Sequence, residues 1–271
     1  MSEILNIALI TACFAVALAF ILGLMLGFFK DFFAVPQDSL TVKILEALPG
    51  ANCGACGYAG CENYAKAIAK GEAGINECTP GGESLPDKLS EITGFKVEAV
   101  ENVVAVLACQ GTYLHAREKG IYNGIETCRG AKLSAGSTKL CSYGCLSFGD
   151  CVKACKFSAI TLNKAKGLPV IDRQKCTGCK MCIKECPQML FKAVNTKLKG
   201  AIVLCSNLSS NRQSVIKTCK IACIKCSACV RVCPKNCIVM ENNLPVVDYS
   251  ICDACGTCIE KCPTKSLAKL N

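Results

Sequence analysis

The chain has 271 residues, 26 of them cysteine, no tryptophan, only 6% aromatic residues and a formal charge of +10. That length allows two small domains or several very small ones, and the shortage of aromatics excludes a conventional aromatic core. Dense cysteine suggests disulfides in a secreted chain and positive charge suggests nucleic acid, but repeated C-x2-C pairs cannot all cross-link and read as metal ligands, and metal-bound thiols are deprotonated, so their negative charge offsets the excess and leaves no nucleic-acid partner.

Residues 4–29 contain no charged side chain and are long enough to span a bilayer as a helix. A cleaved signal peptide is disfavoured, because no Lys or Arg precedes the run and no A-x-A site follows it. Glu3 lies before the run, and Lys30, Asp31 and Lys43 after it. The positive-inside rule then predicts a single-pass anchor over 1–30 in the cytoplasmic (inner) membrane, with the soluble modules on the cytoplasmic side. Thr11, Ala15, Ala19, Gly23 and Gly27 form a small-residue stripe that suits a second transmembrane helix. Cys13 reads as a plain apolar residue of this helix.

After Pro36 the chain turns polar, and a domain over 36–95 is expected. Its Gly-rich loop carries Cys53, Cys56 and Cys61, with Cys78 seventeen positions later. A helix over 61–70, ending at Gly71, carries the chain back so that Cys78 closes the site. C-x2-C-x4-C is not a usual zinc-finger spacing, and missing side chains let amides approach sulfur. A [4Fe–4S] cluster is the expected occupant.

Residues 96–140 read as a connecting α/β segment. Val-Val-Ala-Val-Leu-Ala before Cys109 is β-like, and His115 falls in an expected polar helix, solvated rather than ligating. Two ferredoxin-like units follow, over 141–200 and 201–271. The run C-x2-C-x2-C-x3-C-P occurs three times, beginning at Cys176, Cys223 and Cys252. It is the ligand spacing of bacterial ferredoxins, in which the fourth cysteine serves the neighbouring [4Fe–4S] cluster. Leu-Pro-Val-Ile-Asp172 before one run matches Leu-Pro-Val-Val-Asp248 before another, so the unit is repeated.

The swapped fourth cysteine groups Cys223, Cys226 and Cys229 with Cys262, and Cys252, Cys255 and Cys258 with Cys233. In the first unit it groups Cys176, Cys179 and Cys182 with Cys155. Cys186 then takes its partners from an irregular run, Cys141, Cys145 and Cys151. Five clusters are expected. Cys13, Cys109, Cys128, Cys205, Cys219 and Cys237 are left over, and Cys109, Cys128, Cys205 and Cys219 are candidates for a sixth. No G-x-G-x-x-G follows a strand and no P-loop occurs, so no nucleotide or flavin site and no catalytic residue is expected.

The expected fold class is thus one N-terminal transmembrane helix, a small α Fe–S domain and α+β tandem ferredoxin-like (2[4Fe–4S]) modules. That order, together with the Cys53–Cys78 domain, Val-Leu-Ala-Cys109-Gln-Gly and Cys141-Ser-Tyr-Gly-Cys145-Leu-Ser-Phe-Gly-Asp-Cys151, resembles the B subunits of Rnf complexes, the ion-translocating ferredoxin:NAD oxidoreductases. The four-cysteine domain is also similar to that of corrinoid iron–sulfur proteins. The resemblance implies an electron-transfer subunit of a translocase. It would accept electrons from reduced ferredoxin and relay them toward NAD⁺ reduction, with other Rnf subunits and membrane lipid as partners. Lys153, Lys156, Lys164, Lys166 and Lys175 are expected to steer an acidic ferredoxin. Two other readings stand beside it: a membrane-tethered polyferredoxin serving a hydrogenase or other dehydrogenase, and a structural metal-binding protein.

Overall fold

The computed structural model describes residues 2–32, 38–82, 84–97 and 102–270. The expected domain start at Pro36 lies outside these residues, as do the side chains of Glu3, Lys30 and Asp31. Helix α1, Ser2–Phe32, contains the 21-residue apolar stretch Leu9–Phe29, of which 0% is buried against the protein. A helix apolar on every face needs lipid or another apolar partner around it. A Cβ at Gly23 or Gly27 would meet nothing within 4 Å, so the small-residue stripe is open.

Three helices make the next module: α2 (Ser39–Ala47), α3 (Cys61–Ala69) and α4 (Leu85–Thr93). Asp38 caps α2 by accepting from the Leu40 amide, satisfying an otherwise orphaned donor. α4 stops at Gly94, which takes the left-handed conformation (φ 75°) common just past a helix end. Ile44, Ile68 and Leu89 are fully buried between the three helices. α3 is the helix expected after Cys61, and Gly71 follows it with φ 73°.

The remainder is built twice to one plan. In the first unit, β1 (Val103–Leu107) pairs antiparallel with β4 (Phe191–Asn195), from Val103↔Asn195 to Leu107↔Phe191. The hairpin β2 (Ile160–Asn163) and β3 (Leu168–Ile171) lies between them in sequence. In the second unit, β5 (Gly200–Val203) pairs with β8 (Leu267–Leu270), and the hairpin is β6 (Ile238–Glu241) with β7 (Leu244–Val247). Asn242 and Asn243 join that hairpin with φ 46° and 64°, the two positive values a type I′ turn demands. Short helices carry the cysteine runs: α5 (Cys128–Ala135), α6 (Asp150–Lys153), α7 (Met181–Glu185), α8 (Arg212–Thr218), α9 (Ala228–Arg231) and α10 (Thr257–Glu260).

Two expectations change. Residues 96–140 are not merely a connection: β1 is the first strand of the first unit, so that unit begins before residue 141. Nor does His115 lie on a helix. It sits in a turn, its Nδ1 2.7 Å from the Thr112 hydroxyl. The next residue, Ala116, is drawn into a β-bridge with Cys219, and pairing with the second unit overrides local helix preference there.

Tyr64 is 1% exposed; its hydroxyl donates to the Gly74 carbonyl (2.7 Å) and accepts from the Glu77 amide (3.2 Å). It thereby holds the loop that delivers Cys78. Tyr64→Phe leaves both backbone groups without that partner and is expected to destabilise the module by about 1–3 kcal/mol. Faster iron loss to a chelator, relative to the unaltered protein, measures it.

Candidate metal centres

The thiols gather in fours. Cys53, Cys56, Cys61 and Cys78 meet at the α3 end of the helical module. Burial pushes the Cys78 thiol up to about 11, and Cys56, Cys61 and Cys53 add to the effect. The Asn52 side chain accepts from the Cys61 amide at 2.8 Å, fixing the loop.

Five further quartets each line a small cavity. Cys155, Cys176, Cys179 and Cys182 line one; the Ala105 amide of β1 points at the Cys176 sulfur, 3.5 Å away. Cys223, Cys226, Cys229 and Cys262 line another, and Cys233, Cys252, Cys255 and Cys258 a third, with Cys237 beside them 3.4 Å from the Cys233 sulfur. These three groupings agree with those expected from spacing.

The backbone is bent to serve the thiols. In each regular run the residue before the second cysteine is left-handed (Gly178, Lys225, Ala254), and so is the residue after it (Lys180, Ser227, Gly256). Ser158, Met189, Asn236 and Lys265 repeat the conformation three residues after a fourth cysteine. Left-handed backbone costs a non-glycine residue about 1–2 kcal/mol and persists where surroundings over-determine it.

The irregular run is corrected. Cys145, Cys151 and Cys186 are joined by Cys128, not Cys141. Thr127 caps α5, and the Arg129 amide donates to the Asp150 side chain at 3.1 Å, tying the start of α5, where Cys128 sits, to α6, which carries Cys151. Cys141 instead joins Cys109, Cys205 and Cys219. Asn207 of the second unit points its amide nitrogen at the Cys141 sulfur, 3.5 Å away. This quartet lies at the seam of the two units, where the Arg117 backbone amide donates to the Thr218 carbonyl and the Lys220 backbone amide to the His115 carbonyl. Of 26 cysteines, only Cys13 and Cys237 fall outside a quartet.

Among the described residues, no three cysteines, histidines or carboxylates converge closely enough to hold one metal ion. Thiol quartets that surround a cavity without converging on one point suit a polynuclear group rather than a single zinc ion. An all-thiolate donor set with amides near sulfur is the chemistry that iron–sulfur clusters take.

Family comparisons point the same way. A "Putative Fe-S cluster" family matches residues 48–80, a "4Fe-4S binding domain" residues 168–194 and a "4Fe-4S dicluster domain" residues 222–266. The chain is 36% identical to the B subunit of the Na(+)-translocating ferredoxin:NAD(+) oxidoreductase complex of Acetobacterium woodii, over 92% of this chain and 74% of that one. It is 34% identical to the B subunit of the ion-translocating oxidoreductase complex of Methanosarcina acetivorans, over 92% and 94%. It is 37% identical to the B subunit of the proton-translocating ferredoxin:NAD(+) oxidoreductase complex of Clostridium ljungdahlii, over 91% and 87%. The chain belongs to the B-subunit family of ion-translocating oxidoreductase (Rnf) complexes. Membership over about nine-tenths of this chain and 74–94% of these relatives sets aside the readings as a polyferredoxin or a structural metalloprotein. With it, α1 is the segment that associates the chain with the membrane.

Gly178 combines φ 68° with a close approach: a Cβ there would run into the Val103 carbonyl of β1. Gly178→Ala is expected to strain the backbone by about 1–2 kcal/mol and push β1 off the Cys176 loop. A selective loss of about four iron atoms, one cubane's worth, checks this by iron quantitation.

Proposed function

We propose that this chain is an electron-transfer component that accepts electrons from reduced ferredoxin and hands them on within a membrane complex, toward NAD⁺ reduction coupled to Na⁺ or H⁺ movement. The observation that carries the reading is the set of cysteine quartets disposed through one soluble body, in a chain of this family. [4Fe–4S] clusters, when bound, take up and release single electrons. The chain's own residues hold them, shield them from water and direct amides at sulfur.

Six clusters are proposed, one per quartet, with Cys128 and Cys141 exchanged relative to the spacing argument. Cys53 is among the thiols that raise Cys179, whose own shift comes chiefly from burial. The Lys156 ammonium also donates to the Asn52 carbonyl at 2.8 Å. The helical module's quartet therefore borders the first ferredoxin unit. Anaerobic full-length protein is expected to hold about 24 iron atoms. Cys128→Ser and Cys141→Ser are each expected to lose about four, and the pair together about eight. Cys141→Ser with Cys219→Ser should lose no more than either alone. Unchanged iron in Cys128→Ser would restore the grouping with Cys141.

The side of the membrane and the single crossing are part of the proposal. Lys30 and Lys43 follow the span and only Glu3 precedes it, which supports cytoplasmic modules. The other partners are the remaining subunits of the complex, lipid around α1, and ferredoxin. Of the lysines expected to steer ferredoxin, Lys156 is bonded to Asn52 and Lys175 pairs with Asp172 at 3.7 Å. Lys153, Lys164 and Lys166 are exposed. Replacing these three with Gln is expected to slow reduction by ferredoxin at low salt and to leave the rate at high salt unchanged, because surface charges are screened within about 8 Å at physiological ionic strength. Stopped-flow bleaching of the visible absorbance measures the rate. Purification in mild detergent tests the assembly: the chain should co-elute with membrane subunits of the complex, and elution alone would refute it.

A further inference from the structure

Lys139 is 1% exposed and has no carboxylate partner among the described residues. Its ammonium sits in a polar cage. It donates to the Gly111 carbonyl at 2.9 Å and the Ser147 hydroxyl at 3.3 Å, and lies 5.5 Å from the centre of the Tyr113 ring. The two oxygen partners belong to different sites. Gly111 lines the cavity of Cys109, Cys141, Cys205 and Cys219, and a Cβ on it would stand 3.7 Å from the Cys109 sulfur and 3.6 Å from that of Cys219. Ser147 lines the cavity of Cys128, Cys145, Cys151 and Cys186. One buried cation therefore stands in the partition between two quartets, one at the seam of the units and the other inside the first. Burial raises both the Cys109 and Cys145 thiols, and the lysine's charge opposes that rise in each. Two other charged groups lie near these two quartets: Asp150 lines the second cavity and acts on Cys128, and Lys192 interacts with Cys205 of the seam quartet.

A cluster gains negative charge when reduced, so a fixed cation in a water-poor partition stabilises the reduced form more than the oxidised. We propose that Lys139 is a tuning residue that makes the two clusters flanking it, and only those two, easier to reduce. This rests on both quartets being cluster sites. A lysine buried without a counter-ion is costly unless something compensates it, and two anionic clusters supply that compensation. The cage explains why the charge stays in place: Tyr113 is anchored by its amide on the Lys166 carbonyl, and Ser147 donates onward to the Gly167 carbonyl of the same turn.

The test is a redox titration followed by electron paramagnetic resonance on the full chain in detergent, with iron counted in every sample. Lys139→Gln keeps a donor toward Gly111 and Ser147 but removes the charge; Lys139→Arg keeps the charge. The expected result is full iron in both variants. In Lys139→Gln, two components should be about tenfold harder to reduce, a fall of about 59 mV for a one-electron couple, while the other components and all those of Lys139→Arg stay in place. Unchanged potentials in Lys139→Gln, an equal shift in Lys139→Arg, or a shift spread over all components would overturn the proposal. So would iron loss in Lys139→Gln, which would make the lysine a structural strut. Wild-type protein short of the iron for these two sites would refute the cluster reading itself, and the inference with it.

Discussion

Buried thiols resist ionisation, and the architecture depends on overcoming that resistance. Cys145, Cys151 and Cys182 are pushed up to about 12, first by burial and then by neighbouring thiols. A cluster ligand must nonetheless be a thiolate. Iron and sulfide must displace these protons, and the binding free energy is then available to the fold. This accounts for a chain whose cores hold aliphatic side chains and thiols but, among the described residues, only Tyr64 and Phe191 as buried aromatics. The buried residues of the second unit include Cys205, Cys219, Cys223, Cys229, Cys258 and Cys262 alongside Val215, Ile238 and Leu267. The thiols are part of the core, and left-handed residues in every run are held in place by what the thiols grip.

Charge follows the same logic. The formal +10 counts cysteines as neutral, whereas the six proposed clusters, when oxidised, would bring roughly −12. The lysines therefore compensate an anionic interior, most of them from the surface, where salt screens them. Lys139 alone among the largest fully buried side chains is a cation. Surface and interior charges thus have separable roles in approach of a partner and in the energetics of the sites.

Much of this was legible in the sequence because three runs keep their spacing and the strand before two of them, β3 before Cys176 and β7 before Cys252, is repeated. The irregular run was misread for a physical reason. From Cys145 to Cys151 to Cys155 the spacing equals that from Cys176 to Cys182 to Cys186, with Phe148 where the second cysteine belongs. Ser147 and Gly149, on either side of Phe148, are left-handed as in the regular runs. That pattern would have shown that a ligand was missing and had to come from elsewhere. The cysteine that the fold brings to this cavity is Cys128, placed by a helix cap and by the bond from the Arg129 amide to Asp150, which spacing cannot reveal. Three members of the seam quartet, Cys109, Cys205 and Cys219, were already grouped from the sequence, with Cys128 in the place that Cys141 takes in the structure. That exchange depends on contacts between the units. The helix expected around His115 failed at the same seam.

The closure of each unit by its outermost strands sets a timetable for biosynthesis. Leu107 meets Phe191, and Val203 meets Leu267, so β1 must wait on the ribosome until everything up to β4 has emerged. The seam quartet waits longer, for Cys205 and Cys219. Until then its earlier members, Cys109 and Cys141, are open to oxygen and stray metals, so a chain interrupted between the two units carries a complete set of first-unit quartets beside a half-built seam.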